Sequence, residues 1–101
     1  MSETEPTKIK QMRKFILFNL NLMSPNPLQV RSLFNSLIGF DEHYDLQILA
    51  KDLKYLKQKN YIEYIDNKIG GYPIFEEKVV GLTSEGLEIA QRIRTDPALE
   101  I

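Results

Sequence analysis

The sequence contains no cysteine, which excludes disulfide bonds, cysteine-ligated zinc and thiol catalysis. Long hydrophobic runs are also missing, because the longest, residues 15–18, is far too short to cross a bilayer. Residues 1–8 are polar and acidic, and no long apolar segment follows them, so we expect no secretory signal peptide. We therefore expect a soluble, cytoplasmic protein with no part in a membrane.

The chain also lacks an overall positive charge. Its 101 residues carry a formal net charge of −1, which argues against strong, non-specific binding of nucleic acid. The total conceals an asymmetry, because residues 8–59 hold nine basic and four acidic side chains, whereas residues 60–101 hold four basic and eight acidic ones. The front of the chain is therefore basic and the back is acidic.

The composition that remains is typical of one globular domain. Hydrophobic residues make up 43% of the chain and charged residues 27%. A chain of this length buries roughly two thirds of its unfolded surface, enough for one modest core. Residues 1–7 and 96–101 have little to bury and are expected to be flexible, which leaves residues 8–95 as the domain.

The clearest pattern is an amphipathic helix, predicted at residues 43–59, that ends at a left-handed capping residue, Asn60, and leads directly into a strand. Its leucines recur at spacings of three and four residues, which places them on one face. These leucines are Leu46, Leu49, Leu53 and Leu56. The opposite face carries Tyr44, Gln47, Lys51, Lys54, Tyr55 and Gln58, and Asp52 is expected on the flank between the two faces. One face is therefore expected to anchor in a core, and the other to be presented to water or to a partner.

Two further helices are predicted before this one. The first covers residues 8–23, and the second covers residues 27–38. Asn26 is expected to cap the second helix, since Pro27 fits a first helical turn, and Gly39 is expected to end it.

A hairpin and a last helix are predicted after the helix at residues 43–59. Residues 61–66 and 74–82 are rich in aromatic and β-branched side chains, and Gly70-Gly71 between them is a turn signal, so they predict an antiparallel hairpin. Thr83 is expected to cap a helix at residues 84–94. Because a lone hairpin is marginal in water, we expect it to fold against the helices.

Two segments of this layout resemble a known group of proteins. LAKDLKYLKQKNYIEY, residues 49–64, resembles the recognition helix and first wing strand of bacterial regulators of the MarR, PadR and ArsR kind, with Asn60 where the pattern usually has glycine. VVGLTSEGLEIAQRI, residues 79–93, resembles their second wing strand and the LT-x-x-G start of the next helix. In size and layout the chain is also similar to small phage and prophage winged-helix proteins. The resemblance, over about residues 8–94, implies an α+β, mainly helical winged helix-turn-helix fold. Such a fold has a three-helix core, a two-stranded antiparallel β-hairpin wing and a C-terminal helix.

The function implied by this resemblance is that of a DNA-binding transcriptional regulator that holds its operator non-covalently through the third helix. In a helix-turn-helix, that helix enters the major groove with its N-terminal residues against base edges. Glutamine pairs there with adenine, and lysine donates to guanine. The residues expected to contact double-stranded DNA are Tyr44, Gln47, Lys51, Lys54, Tyr55 and Gln58 of the third helix, Arg31 of the second helix and Lys68 at the wing tip.

Two other interpretations of the same residues remain open. The polar helix face could simply be solvated. Alternatively, a winged helix with an acidic C-terminal half could be a protein-protein interaction or assembly module, phage-derived and without DNA binding. Glu76 and Glu77 on the predicted wing favour this alternative, because a wing that grips DNA is usually more basic.

A second apolar stripe on the first helix raises the question of a homodimer. Phe15, Phe18 and Leu22 form this stripe, and Ile89 and Ile93 lie on one face of the last helix. One interpretation packs the two faces together within one chain. The other pairs them between two chains, which would give the twofold dimer that a two-half-site operator requires.

The sequence offers little for catalysis or for a cofactor. Glu76 and Glu77 are neighbours in a predicted strand and so point to opposite faces, which is wrong for a paired acid and base. His43 lies among acids in a turn, but their spacing matches no metal site, and we expect the acids to stabilise the helix start. We therefore expect no enzyme, no metal and no cofactor. A small-molecule effector would have to bind at a dimer or helix interface.

Overall fold

The computed structural model describes residues 5–65 and 74–99. These residues form an α+β fold that is mainly helical, so this part of the predicted fold class is confirmed. The helices are α1 (Glu5–Met23), α2 (Val30–Leu37), α3 (Leu46–Gln58) and α4 (Ser84–Ala90). The strands are β1 (Leu28–Gln29), β2 (Ile62–Ile65) and β3 (Val79–Leu82), and short 3₁₀ helices cover Phe75–Glu77 and Pro97–Leu99.

The predicted hairpin is present as β2 and β3. They pair antiparallel, with Ile62 opposite Leu82 and Ile65 opposite Val79. The second strand begins later than predicted, because the 3₁₀ helix Phe75–Glu77 occupies the residues before it. The expected turn at Gly70-Gly71 lies outside the described residues.

The sheet has a third strand, β1, so the prediction of a two-stranded sheet was wrong. β3 lies in the middle, with Leu28 opposite Val80 and Gln29 opposite Val79. The prediction that a helix begins at Pro27 fails for the same reason, since the first helical residue is Val30. Two paired residues are too few to show a strand's alternation, and proline also suits the start of an edge strand.

Local capping explains where the other elements begin and end. The Asp45 carboxylate accepts a hydrogen bond from the Ile48 amide at 2.8 Å, so α3 begins at Leu46 rather than at residue 43. The predicted caps Asn60, with a φ of 66°, and Thr83, which accepts from the Gly86 amide, are both confirmed. α4 ends at Ala90, four residues earlier than predicted, and Arg92 follows with a φ of 62°.

The core lies between α1, α2, α3 and the inner side of the sheet. Its fully buried side chains come from every helix and from two strands, which explains why the three strands are held against the helices. They include Ile16, Leu17, Val30, Leu33, Leu37, Leu49, Leu53, Leu56, Val80 and Ile89, with Ile62 and Leu20 at 2% exposure.

Residues 96–99 are packed against the rest of the protein, although the sequence predicted flexibility from residue 96 onward. Tyr61 donates its hydroxyl hydrogen to the Asp96 carboxylate at 2.6 Å, and the Lys59 ammonium lies 3.2 Å from the same oxygen. Leu99 is fully buried among the helices. The prediction was wrong for residues 96–99 because it relied on composition, which does not show a single leucine that reaches the core. Likewise, α1 begins at Glu5, inside the segment predicted as a tail.

Candidate nucleic-acid interface

Four polar side chains form an exposed row along α3. Gln47, Lys51, Lys54 and Gln58 follow one another at spacings of four, three and four residues, and all four are exposed. On the leucine face of the same helix, Leu49, Leu53 and Leu56 are fully buried and Leu46 is partly buried, which fixes the direction in which the row points. The row spans about 16 Å at the α-helical rise of about 1.5 Å per residue. It offers two ammonium and two amide groups to one partner surface.

Tyr44 does not belong to this surface, and its assignment to DNA contact was wrong. Only 4% of Tyr44 is exposed, and its hydroxyl donates to the Asp52 carboxylate at 2.7 Å. Its ring lies beside that of Phe34, with centroids 6.3 Å apart. Because Tyr44 precedes the N-terminal cap of α3, the helical periodicity used to place it does not extend that far.

Tyr55 was also expected on the outward face, but it is only half-exposed. The guanidinium of Arg13, on α1, lies 3.7 Å from the centre of its ring, in cation–π contact. The same guanidinium donates from Nε to the Asp52 carboxylate at 3.0 Å. The Tyr55 ring therefore helps to pack α3 against α1.

Arg13, Tyr44 and Asp52 form one buried polar network that sequence reasoning missed. Asp52 was placed on the flank of α3, yet it is 3% exposed. A signal was present, since Asp52 lies three residues after Leu49 and four before Leu56, at the edge of the leucine face. The network joins α1, the segment before α3 and α3 itself, so it sets how the exposed row is oriented.

Burial and mutual contact shift the pKa values of the acidic groups in this network. Burial raises the pKa of Asp52, against the opposing effect of the hydrogen bonds from Tyr44 and Arg13 and of the Arg13 charge. Burial, followed by the adjacent Asp52 charge, raises the pKa of the Tyr44 phenol far above its usual value. Tyr44 is therefore a neutral hydrogen-bond donor at any physiological pH.

The other predicted DNA contacts lie on separate elements. Arg31 is exposed on α2, as expected for a residue that contacts the same bound molecule as α3. Lys68 lies outside the described residues. Lys78, which sequence reasoning did not select, is exposed just before β3, with its ammonium 5.4 Å from the centre of the Tyr64 ring. Two exposed carboxylates lie near these strands as well: Glu63 is on β2, and Glu77 immediately precedes Lys78.

The acids around His43 have structural partners. Asp41 accepts a hydrogen bond from the His43 amide and lies 3.5 Å from the Lys8 ammonium. The amide hydrogen bond, opposed by desolvation and helped by Lys8, lowers the pKa of Asp41. Within residues 5–65 and 74–99, no three histidine or acidic side chains come together as a metal site would need. In the same residues, no helix is both long enough and apolar enough to cross a bilayer.

The five residues expected at a dimer interface fall into two groups. Ile89 is fully buried, so for this residue the interpretation of packing within one chain is correct. Phe15 and Phe18 are half-buried, with Phe15 stacked on Phe40 at 4.5 Å and the Arg92 guanidinium 5.5 Å from the Phe18 ring centre. By contrast, Leu22 is 80% and Ile93 70% exposed.

Comparison of the chain with protein-family models, with curated proteins and with solved structures finds no match.

Proposed function

We propose that the protein is a winged helix-turn-helix regulator that binds double-stranded DNA through α3. The order of elements supports this proposal, because two helices precede α3, a short strand lies between them, and an antiparallel hairpin follows. In such a fold α2 and α3 are the helix-turn-helix pair, and β2 and β3 are the sides of the wing. The observation that carries the proposal is the exposed row Gln47, Lys51, Lys54 and Gln58, opposite the leucine face that packs into the core.

The proposed mechanism is occupancy of the operator without covalent chemistry. α3 enters the major groove, where Gln47 pairs with adenine and Lys51 donates to guanine. Lys54 and Gln58, further along the helix, meet phosphates, as does Arg31 from α2. Repression follows by exclusion of other proteins from the bound site.

A salt-dependent titration tests the proposal. We expect fluorescence anisotropy to detect binding to a mixed-sequence duplex at about 50 mM salt, and about 12-fold weaker binding at about 200 mM if Lys54 and Arg31 each neutralise one phosphate charge. The double variant Lys51→Glu/Lys54→Glu should lose this binding and keep the circular dichroism spectrum of the wild type. Absence of binding at the lower salt concentration, with the protein folded, would refute the proposal.

Two single variants of α3 form a matched control pair. Lys54→Glu and Lys57→Glu make the same charge change at exposed positions of one helix, but only Lys54 belongs to the exposed row. We expect Lys54→Glu to weaken DNA binding by about tenfold and Lys57→Glu by much less. Equal losses would mean that only the overall charge of the helix matters.

The second candidate function is that of a protein-interaction module. The exposed carboxylates of Glu63 and Glu77 favour it, because Glu63 lies on β2 and Glu77 lies just before β3, and these are the strands that would approach the phosphates. This candidate predicts no salt-dependent DNA binding at all, so the same titration separates the two functions.

The proposed regulator acts as a homodimer, with the exposed side chains of Leu22 and Ile93 as the contact. We expect a second copy of the chain to cover these apolar side chains, because an operator with two half-sites requires a twofold-symmetric protein. We expect sedimentation at twice the chain mass of 11.8 kDa. Leu22→Glu should shift the protein to one chain mass, whereas Met23→Glu, its less exposed neighbour, should not. A wild-type monomer at about 100 times the concentration used for DNA binding would refute the dimer.

A further inference from the structure

A cleft lies beside the proposed DNA-binding row, between α1, the segment before α3 and α3. Its volume is about 360 Å³, within the range of small-molecule sites. Ile9 of α1 and Ile48 of α3 line it and remain 41% and 38% exposed, although both are large aliphatic residues. Met12 contributes a buried apolar surface. A ligand whose apolar part covered these side chains would be stabilised, because their aliphatic surface would be removed from water.

The charges that line the cleft favour an anion. Both of its carboxylates already have cationic partners, since Asp52 binds Arg13 at 3.0 Å and Asp41 lies 3.5 Å from Lys8. Lys51 also lines the cleft, and within the described residues no carboxylate lies within 4.0 Å of its ammonium group. The cleft therefore combines apolar walls with one positive charge that these residues do not neutralise.

We propose that this cleft binds a small amphipathic anion, with its aliphatic body between Ile9 and Ile48 and its carboxylate on Lys51. The proposal concerns the cleft itself and does not require DNA binding. One consequence does rest on the proposed function: Lys51 belongs to both surfaces, so an anion that holds its ammonium group withdraws it from DNA. The bound anion then acts as an inducer that weakens operator binding.

Octanoate is a suitable probe, because it combines an aliphatic chain with a carboxylate. In a titration followed by ¹H–¹⁵N correlation spectra, without DNA, we expect saturable shifts centred on Ile9, Met12 and Ile48. Octanamide, which has the same chain and no charge, should bind about tenfold more weakly. Shifts that do not saturate, that centre elsewhere or that are as strong with octanamide would each overturn the proposal.

Two isoleucine variants give the matched control. Ile9→Glu places a carboxylate at the wall of the cleft, and Ile38→Glu makes the same change at a similarly exposed isoleucine, 39%, that does not line it. We expect Ile9→Glu to weaken octanoate binding by about tenfold or more and Ile38→Glu to leave it unchanged. Equal binding by both folded variants would show that octanoate binds elsewhere.

The link to DNA is measured separately. Saturating octanoate should weaken DNA binding by the wild type. It should not weaken DNA binding by Ile9→Glu, which keeps the exposed row Gln47, Lys51, Lys54 and Gln58 but has lost octanoate binding. If octanoate binds the cleft and no DNA binding is found, the regulator proposal fails and the cleft proposal stands. If DNA binds and octanoate does not, the cleft proposal alone fails.

Discussion

Asp52 shows how one buried side chain governs an exposed surface on the same helix. Its carboxylate accepts hydrogen bonds from Arg13 at 3.0 Å and Tyr44 at 2.7 Å, while the exposed row lies on another side of α3. A buried charge without its partner is costly, whereas a pair replaced by apolar groups of similar volume is often tolerated. The network therefore matters less for total stability than for holding α3 at one rotation against α1.

Arg13→Met tests this role. We expect a loss of about 2–4 kcal/mol in the free energy of unfolding, because the Asp52 carboxylate stays buried without a cation. The double variant Arg13→Met/Asp52→Leu should recover part of the loss, since no charge is then left unpaired. Urea unfolding at pH 7 measures both. A double variant that is less stable than Arg13→Met would contradict this interpretation.

The same variant should respond to pH in a defined direction. Burial already raises the pKa of Asp52, and loss of Arg13 removes an effect that lowers it. A folded-state pKa above the unfolded value, about 3.9, means that the folded protein binds the proton more tightly. The deficit of Arg13→Met relative to wild type should therefore shrink as the pH falls from 7 towards 5. A deficit that grows over this interval would show that Asp52 is not the source.

At the scale of elements, α4 is positioned by close contact with the start of β2. A Cβ atom at Gly86 would lie 1.9 Å from the Tyr61 carbonyl oxygen, so only glycine lets the helix approach so closely. The Thr83 amide and hydroxyl then donate to the carbonyl oxygens of Tyr61 and Asn60. The link between α3 and β2 and the start of α4 thus form one unit.

Gly86→Ala should therefore destabilise the protein by about 2 kcal/mol or more, because backbone rather than a flexible side chain must move. Gly39→Ala is the matched control, since the nearest atom to its Cβ would be the Ser36 carbonyl oxygen at 3.6 Å, an ordinary contact. Thermal unfolding followed by circular dichroism measures both. If the two variants melt together, α4 does not pack on Tyr61 as described.

The packing of residues 96–99 depends on a second tyrosine–carboxylate contact, between Tyr61 and Asp96. Burial opposes ionisation of Asp96, but the hydrogen bonds from Tyr61 and Ala98 and the Lys59 ammonium outweigh it and lower the pKa of Asp96. A lowered folded-state pKa adds stability above the unfolded value, about 3.9, and this stability is lost as the pH falls through the folded value.

Asp96→Asn should accordingly reduce the free energy of unfolding by about 1–3 kcal/mol at pH 7. The difference from the wild type should stay constant down to about pH 5 and narrow below about pH 4. Glu88→Gln, which changes an exposed carboxylate beside Arg94, is the control and should stay within about 0.5 kcal/mol. A difference that is independent of pH would mean that the ionised form of Asp96 contributes nothing.

At the scale of the whole molecule, the features predicted from sequence were those that local patterns determine. The leucine face of α3, the left-handed Asn60 and the Thr83 cap each follow from a few neighbouring residues. The features that were missed depend on pairing across the chain. β1 is a strand because it pairs with β3. The hydroxyl of the buried Tyr44 has its hydrogen-bond acceptor eight residues away, in the Asp52 carboxylate.

The same distinction applies to the candidate site. Exposure of Gln47, Lys51 and Lys54 followed directly from the helical period, because each lies opposite the leucines. The contact between Arg13 and Asp52, which orients α3, could not be predicted in this way. Arg13 lies 39 residues before Asp52, and Asp52 had been placed on the flank of the helix. Periodicity predicts the direction of a side chain, whereas its partner depends on the packing of helices.

The charge asymmetry of the chain leads to a prediction about the number of phosphate contacts. The net charge of −1 gives no general attraction to DNA, so the salt dependence should come from a few groups in the basic half. With Lys54 and Arg31 as the cations that contact phosphates, the slope of log affinity against log salt should be about −2 per chain. Arg31→Gln should make this slope shallower by about 1 and weaken binding to all sequences alike. Arg94→Gln removes an equal charge from the exposed end beyond α4, and it should leave the slope unchanged. Equal changes in the two variants would show that the net charge of the molecule, rather than the α2 and α3 surface, attracts the DNA.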